Sequence, residues 1–537
     1  MKVNVLAGYI LILVISSCRN DQHQIGSVFH YNQPNLVTSL DPAFARTQNN
    51  YWVVDHLYSQ LLDLDDSLSI VPELASRYNV SSDGLTYTFI LRQNVYFHPD
   101  SCFGRQLTRK VNADDVKYSF MRLLDPGLNA PGRWIFLGRL DSLMPFESRD
   151  DSTLIIHLKK PFSPFLSLLT MHYCSIVAKE AVEFYKSSFG HIAVGTGPFR
   201  LKKWSGQQGM FLVKNENYFK PGLPKLDGVR ISFIEDRNTA YLEFLMQRID
   251  FFNGIQPSFA LQLLNRNGTL RKDKAGKMIF QNGPFLNTEY IGINVSQLKQ
   301  NHPLRQKKFR QALNYAIDRK KIIEYFRYGI GTPANSGFIP NGLRAFNPEA
   351  VPGYSYDPLK AKQLMKECNY NALQNNTESA ELVLYTNKDY VDLMTFIARQ
   401  WQEIGIAVKI ELLETATLRE KMRNGEISLF RGSWIADYPN EESFLTFFYG
   451  KNPVPPNYTR FSNQAYDLGY EKLIQHQTDT SNFDLCQSMD RILIDECPVV
   501  FLFYDQTAWF SQSNITGLRP NALNLLKLDS VDKVEDK

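Results

Sequence analysis

The stretch ELVLYTNKDYVDLMTFIARQWQEIGIAVKIELLETATLREKMRNGEISLFRGSW, Glu381 to Trp434, decides the fold. ELVLYTN has the branched, apolar make-up of a strand, and YVDLMTFIARQWQEIG spaces its apolar residues as a helix closed by Gly405. IAVKIELLE reads as a second strand, TLREKMRNGE as a helix closed by Gly425, and ISLFRGSW as a third strand. Alternation of this kind builds parallel βαβ units, so an α/β lobe is predicted. In open α/β sheets ligands sit beyond the carboxyl ends of the strands. FRGSWIADYPNE, residues 430 to 441, continues from that end of the third strand and sets Arg431, Trp434 and Asp437 where a ligand is expected. A salt-bridged surface turn and an aromatic staple between core elements are the alternatives.

Working outward, the chain has 537 residues, more than one hydrophobic core organises, so two or three domains and a cleft between them are expected. Apolar residues make up 44% and charged residues 21%, the composition of a packed globular protein rather than a disordered one. The formal net charge is only +4, and no long basic run interleaves with aromatics, so a nucleic-acid partner is not expected.

At the amino end, MKVNVLAGYILILVISSC sets Lys2 before an apolar stretch, Val5 to Ile15, that is too short to span a bilayer comfortably and fits a signal-peptide core. Ser16 and Ser17 before Cys18 resemble a bacterial lipobox, so lipid is expected on Cys18, with the protein exported and tethered. Of the remaining cysteines, Cys102, Cys174, Cys368, Cys486 and Cys497, five cannot all pair and none shows CxxC spacing. Most read as buried small hydrophobes. The nine histidines are scattered, so neither a metal site nor a cofactor is legible. Walker A, GxSxG and HExxH motifs are absent too, which favours a binder over an enzyme.

Between the strand-like runs LTYTFILRQNVYF and STLIIHLKKPF, NADDVKYSFMRLLDP reads as a helix capped by Asn112, with Val116, Phe120, Leu123 and Leu124 on one side. PLRQKKFRQALNYAIDRKKIIEYF places Phe309, Ala312, Leu313, Ala316 and Ile317 on one helical face, its basic residues mainly on a solvated one. YDPLKAKQLMKE opens another helix, capped by Asp357 with Pro358 in the first turn.

SLDPAFARTQNN, VPELASRYNVSSDGLTYTFILRQNVYFH, NADDVKYSFMRLLDP, GTGPFRLKKW, KNENYFK, LDGVRISFIED, FRQALNYAIDRKKI, YDPLKAKQLMKECNY and WIADYPNEESF resemble, in order, successive signatures of the family 5 extracellular solute-binding proteins, the oligopeptide, dipeptide and nickel receptors of ABC importers. The resemblance implies a two-lobed α/β fold of the periplasmic-binding-protein type II with an additional inserted domain. Lobe I would be discontinuous, built from residues 19–61, 191–282 and 504–537, with the inserted domain at 62–190 and the other lobe at 283–503.

The same resemblance assigns residues. Asp437, the aspartate of W-x-x-D-Y, would pair with a peptide α-ammonium, and Arg431 would receive a peptide carboxylate. Trp434 and Tyr290 resemble cleft-lining aromatics, with core filling as the alternative for each. Two positions depart from the pattern: Thr415 stands where an aromatic often lines the cleft, and Arg46 where an acidic residue contacts ligand in some relatives. The expected partners are a peptide, ABC permease subunits and the membrane through the lipid anchor, with the chain itself a monomer on the periplasmic or cell-envelope side. Relatives that bind sugars, haem or nickel, or that have lost their importer for a chaperone or adhesion role, keep other readings open. A remote alternative is an exported hydrolase using Asp437 with Glu441 and Glu442.

Overall fold

The computed structural model describes residues 26–368, 370, 382–475 and 481–534; the leader read over residues 1–18, with Cys18, lies outside them, as does Glu381. The βαβ pattern is present as read. Strand Leu382–Thr386 runs parallel to Val408–Leu412, residue for residue from Leu382 opposite Val408 to Thr386 opposite Leu412. Helix Val391–Glu403 connects them, and helix Thr415–Asn424 leads on, its C-cap Gly425 left-handed at φ 77°. A left-handed residue there ends the helix without the Cβ penalty that other side chains meet. Strand Leu429–Ile435 then lies on the other side of Leu382–Thr386, also parallel to it.

Two long antiparallel strands, Met278–Ile293 and Val499–Gln512, carry this sheet into the next lobe. The first pairs at one end with Leu429–Ile435, and the far end of the second pairs with Phe251–Asn253. Val28–Asn32 follows, parallel to both Phe251–Asn253 and Gly228–Ser232, and Met210–Lys214 and Phe199–Trp204 close the edge. The lobes therefore share one mixed sheet of 11 strands, and the pair that crosses between them shifts register between Pro284 and Thr288. We refer to this pair as the hinge strands. The domain cuts expected at 282/283 and 503/504 fall inside them.

Within the stretch expected as an insertion, four antiparallel strands stand in the order Ala75–Val80, Thr86–Leu91, Thr153–His157 and Phe146–Asp150. Helix Ala113–Leu124 lies against them, with Asn112 and Asp115 forming a reciprocal capping box that satisfies two otherwise free N–H groups. The apolar side chains of this region merge with those of the N-terminal lobe into one core. In the C-terminal lobe, period-two alternation along the strands makes two cores, one on each face of the sheet. Tyr290 and Phe430 enter one; Ile291 and Leu429 enter the other.

One expectation needs correction. PLRQKKFRQALNYAIDRKKIIEYF forms two helices, Lys307–Tyr315 and Arg319–Phe326, because Asp318 caps the second by accepting from Lys321 N. Arg319 is not on a solvated face: it is buried, and its guanidinium donates to the carbonyls of Asn314, Tyr354 and Phe501. The five cysteines that follow Cys18 are free, four of them buried.

Candidate functional site

The strand Leu429–Ile435 ends at the meeting of the lobes, and the loop beyond it carries Asp437 across the gap. Its neighbour Tyr438 is buried among the side chains of the N-terminal lobe, with its ring 6.2 Å from Trp134. Tyr438 and Tyr470 both donate hydroxyl hydrogen bonds to buried Glu442, and Glu441 accepts from Ala345 N. Both glutamates are thereby committed to holding the loop, so the carboxylate set imagined for a hydrolase is not free to act.

Asp437 is different. Its side chain is open to solvent while protein crowds the opening, and this loss of water pushes its carboxyl up to about 6, with the positive Arg46 acting against the rise. Arg46, also exposed, follows a short turn at Pro42–Phe44 in the N-terminal lobe. Tyr51, on helix Gln48–Leu57, and Tyr173 complete the surroundings. Burial raises both phenols, Tyr173 to about 12, and the Asp437 charge adds to the rise in each. Tyr51 stacks on His172 at 5.1 Å, and His172 Nε2 lies 3.2 Å from Asp55 Oδ1, which fixes that wall. An exposed carboxylate thus lies within electrostatic range of a guanidinium and two phenols of the N-terminal lobe.

The other expected residues are placed elsewhere. Tyr290 does not line the cleft: it is 1% exposed and wedged between Phe338 and Phe447, each 5.4 Å away. Its core position follows from strand alternation, which turns it to the same face as Phe430. Trp434 is half-buried on that face too, its ring 5.0 Å from Phe447 and its Nε1 donating to Ser443 O, so it serves as the aromatic staple. Thr415 begins its helix, and its hydroxyl accepts from Asn387 Nδ2 at 3.2 Å.

Arg431 points to the opposite face from Trp434 and does not stand free for a carboxylate. Its Nη2 donates to Glu289 Oε2 at 2.6 Å, and its guanidinium lies 3.3 Å from the centre of the Tyr390 ring. Glu289 is buried with its carboxyl raised by burial, which the Arg431 charge opposes. Sequence reading missed Glu289, Tyr51, Tyr173 and Trp134. The available signal was an acid directly before Tyr290 in the apolar run NTEYIGIN, since such an acid needs a buried partner. Among the described residues, no three His, Cys, Asp or Glu side chains are gathered as metal ligands would be.

Two α/β lobes joined by continuous strands, with a solvated charge enclosed between them, define a hinged solute-binding protein. The chain belongs to the bacterial extracellular solute-binding proteins of family 5, whose middle region matches residues 69–455. It is a binding protein rather than an enzyme, with the two-lobed fold of type II periplasmic binding proteins. It is 32% identical over 428 residues to the heme-binding protein A of Haemophilus influenzae, covering 76% of this chain and 75% of that one. It is 26% identical over 488 residues to the glutathione-binding protein GsiB of Escherichia coli K12, with 89% of each chain covered. The solved structure of HbpA2 from Haemophilus parasuis superposes with a TM-score of 0.81 at 24% identity, over 94% of this chain and all of that one.

Proposed function

We propose that the protein captures a peptide, or a peptide-like solute bearing a free amine, between its lobes and delivers it to an ABC permease, held at the membrane by lipid on Cys18. The observation that carries this reading is Asp437: a carboxylate kept wet yet enclosed, opposite Arg46 and between aromatic walls. Such a pair suits a zwitterion, whose ammonium meets Asp437 while a carboxylate or carbonyl meets Arg46. Charge pairs there strengthen when closure removes water, because the effective dielectric falls. Backbone hydrogen bonds to an extended peptide add affinity with little demand on its side chains. The glutathione-binding relative supports the reading, glutathione being a tripeptide with one free α-amine.

The heme-binding relative supports a second reading, in which Tyr51, Tyr173 and Trp134 border a flat ring system. One experiment separates the two. Protein purified from its native host is denatured mildly and the released solute identified by mass spectrometry, while refolded protein is titrated with a peptide mixture, with glutathione and with hemin. Peptides retained uncut, in competition with one another, are the expected result; saturable hemin binding without peptide retention rejects it.

A further inference from the structure

Glu289, Asp505, Arg431 and Arg327 form a four-charge cluster on the sheet face opposite Trp434. Arg431 Nη2 holds Glu289, Arg327 Nη2 holds Asp505, and Asn287 Nδ2 lies 3.2 Å from Glu289 and 3.4 Å from Asp505. Tyr390 covers the Arg431 guanidinium, and Phe503 lies under that of Arg327 at 5.2 Å. The topology sets this cluster at the cleft end of the lobe. Tyr385 lies opposite Phe430 in parallel strands, so Arg431 stands level with the carboxyl end of Leu382–Thr386 and Tyr390 follows four residues beyond that end, while Glu289 and Asp505 lie on the hinge strands beside the register shift.

Two carboxylates face two guanidiniums, so with all four ionised the cluster is neutral. A ligand carboxylate brought to Arg431 would add an uncompensated negative charge beside Glu289, whose side chain is 4% exposed, and Asp505, where little water is left to screen it. The Nε atoms of Arg431 and Arg327 are nevertheless buried donors without a partner among the described residues. Unused donors at a neutral site suit an uncharged acceptor, such as an amide carbonyl or a hydroxyl.

We propose that Glu289 is a specificity-determining residue: by neutralising Arg431 from within, it makes this end of the cleft take an uncharged part of the ligand and refuse a carboxylate. The proposal rests on the binding reading above, and it favours solutes whose carboxyl end is blocked or lies elsewhere, toward Arg46.

The test has two arms. In the first, wild type, Glu289→Gln, Glu289→Ala and Glu289→Ala/Arg431→Met are melted in graded acetate at constant ionic strength. Acetate should raise the melting temperature of Glu289→Ala alone among wild type, Glu289→Ala and the double variant; an equal rise in wild type would show that Arg431 already accepts a carboxylate and would overturn the proposal. In the second arm, trialanine and its C-terminal amide are titrated into wild type and Glu289→Gln. Whatever preference wild type shows through Arg46, Glu289→Gln should shift the acid-to-amide affinity ratio toward the free acid by about tenfold or more, the size of one gained charge pair. A ratio unmoved by the substitution rejects the assignment. Should neither peptide bind either protein, the peptide reading fails, while the acetate arm still decides the role of Glu289. Should Glu289→Ala not fold, the acetate comparison passes to Glu289→Gln, for which the same rise is expected and its absence counts against the proposal.

Discussion

Gly432 and Tyr290 occupy one space from two adjacent strands: they are direct partners across the ladder, and a Cβ built on Gly432 would stand 2.6 Å from Tyr290 Cζ. The tyrosine ring lies over the glycine and fills the core between Phe338 and Phe447. Glycine in FRGSW is therefore a packing requirement of Tyr290, with no positive φ involved. Gly432→Ala should lower stability by about 1–3 kcal/mol, the usual cost of overfilling a packed core. Urea unfolding without ligand measures it, and a loss no larger than for an alanine placed at Gly283, a strand glycine without positive φ where a Cβ meets nothing nearer than 4.0 Å, would contradict the packing account.

The same strand shows which parts of the molecule were legible in sequence. The βαβ alternation was, because its signals are local: apolar period, a glycine after each helix, a charged strand end. The pairing of Arg431 with Glu289 was not, because the two are 142 residues apart and meet only when the hinge strand lies beside Leu429–Ile435. The hinge strand carries Gly283-Pro284, a pair commoner in turns than in strands, and the ladder continues through it as Gly283 opposite Thr507 and Pro284 opposite Gln506. At Tyr290 and Trp434, residue type alone did not separate a cleft wall from core; the face of the strand decided.

The proposed lipid attachment would be at Cys18, which follows the apolar run in ISSC. Cells expressing the wild-type protein should incorporate a fatty-acid probe into it and keep it in the membrane fraction, whereas Cys18→Ser should lose both. Equal labelling of the substituted protein would end the lipid assignment.

Because the hinge strands are continuous, closure on ligand is predicted to be a rotation about the register shift between Pro284 and Thr288 that leaves the sheet unbroken. Small-angle scattering at saturating ligand should show a smaller radius of gyration than the unliganded protein. An unchanged radius with binding proven by titration would mean that the lobes form a rigid scaffold.

Binding of an amine should depend on pH through Asp437. Its carboxyl, raised to about 6, accepts an ammonium only when ionised, so affinity should fall as pH drops through that value. The sign follows from proton competition: a proton on Asp437 must leave before the ammonium can pair. Calorimetry of the same peptide at neutral and acidic pH measures the slope, and Asp437→Asn should flatten it. A slope retained in Asp437→Asn would transfer the effect to another group.

Removal of the Asp437 carboxylate gives the most direct test of the site. In the closed state its partner ammonium would be left without a counter-charge, so Asp437→Ala should cost roughly 2–5 kcal/mol of affinity, or about 30- to 4,000-fold at 1.4 kcal/mol per decade. Stability without ligand should hardly change, because the side chain is open to water and Tyr438, Glu441 and Glu442 hold the loop around it. Free and N-acetylated forms of one peptide complete the comparison. Acetylation removes the positive charge, so it should weaken wild type by a similar factor and leave the already weakened Asp437→Ala nearly unaffected. The two losses are then not additive, the signature of groups that contact one another. Wild-type affinity indifferent to acetylation would show that Asp437 holds no ammonium, and the amine-bearing ligand would have to be abandoned.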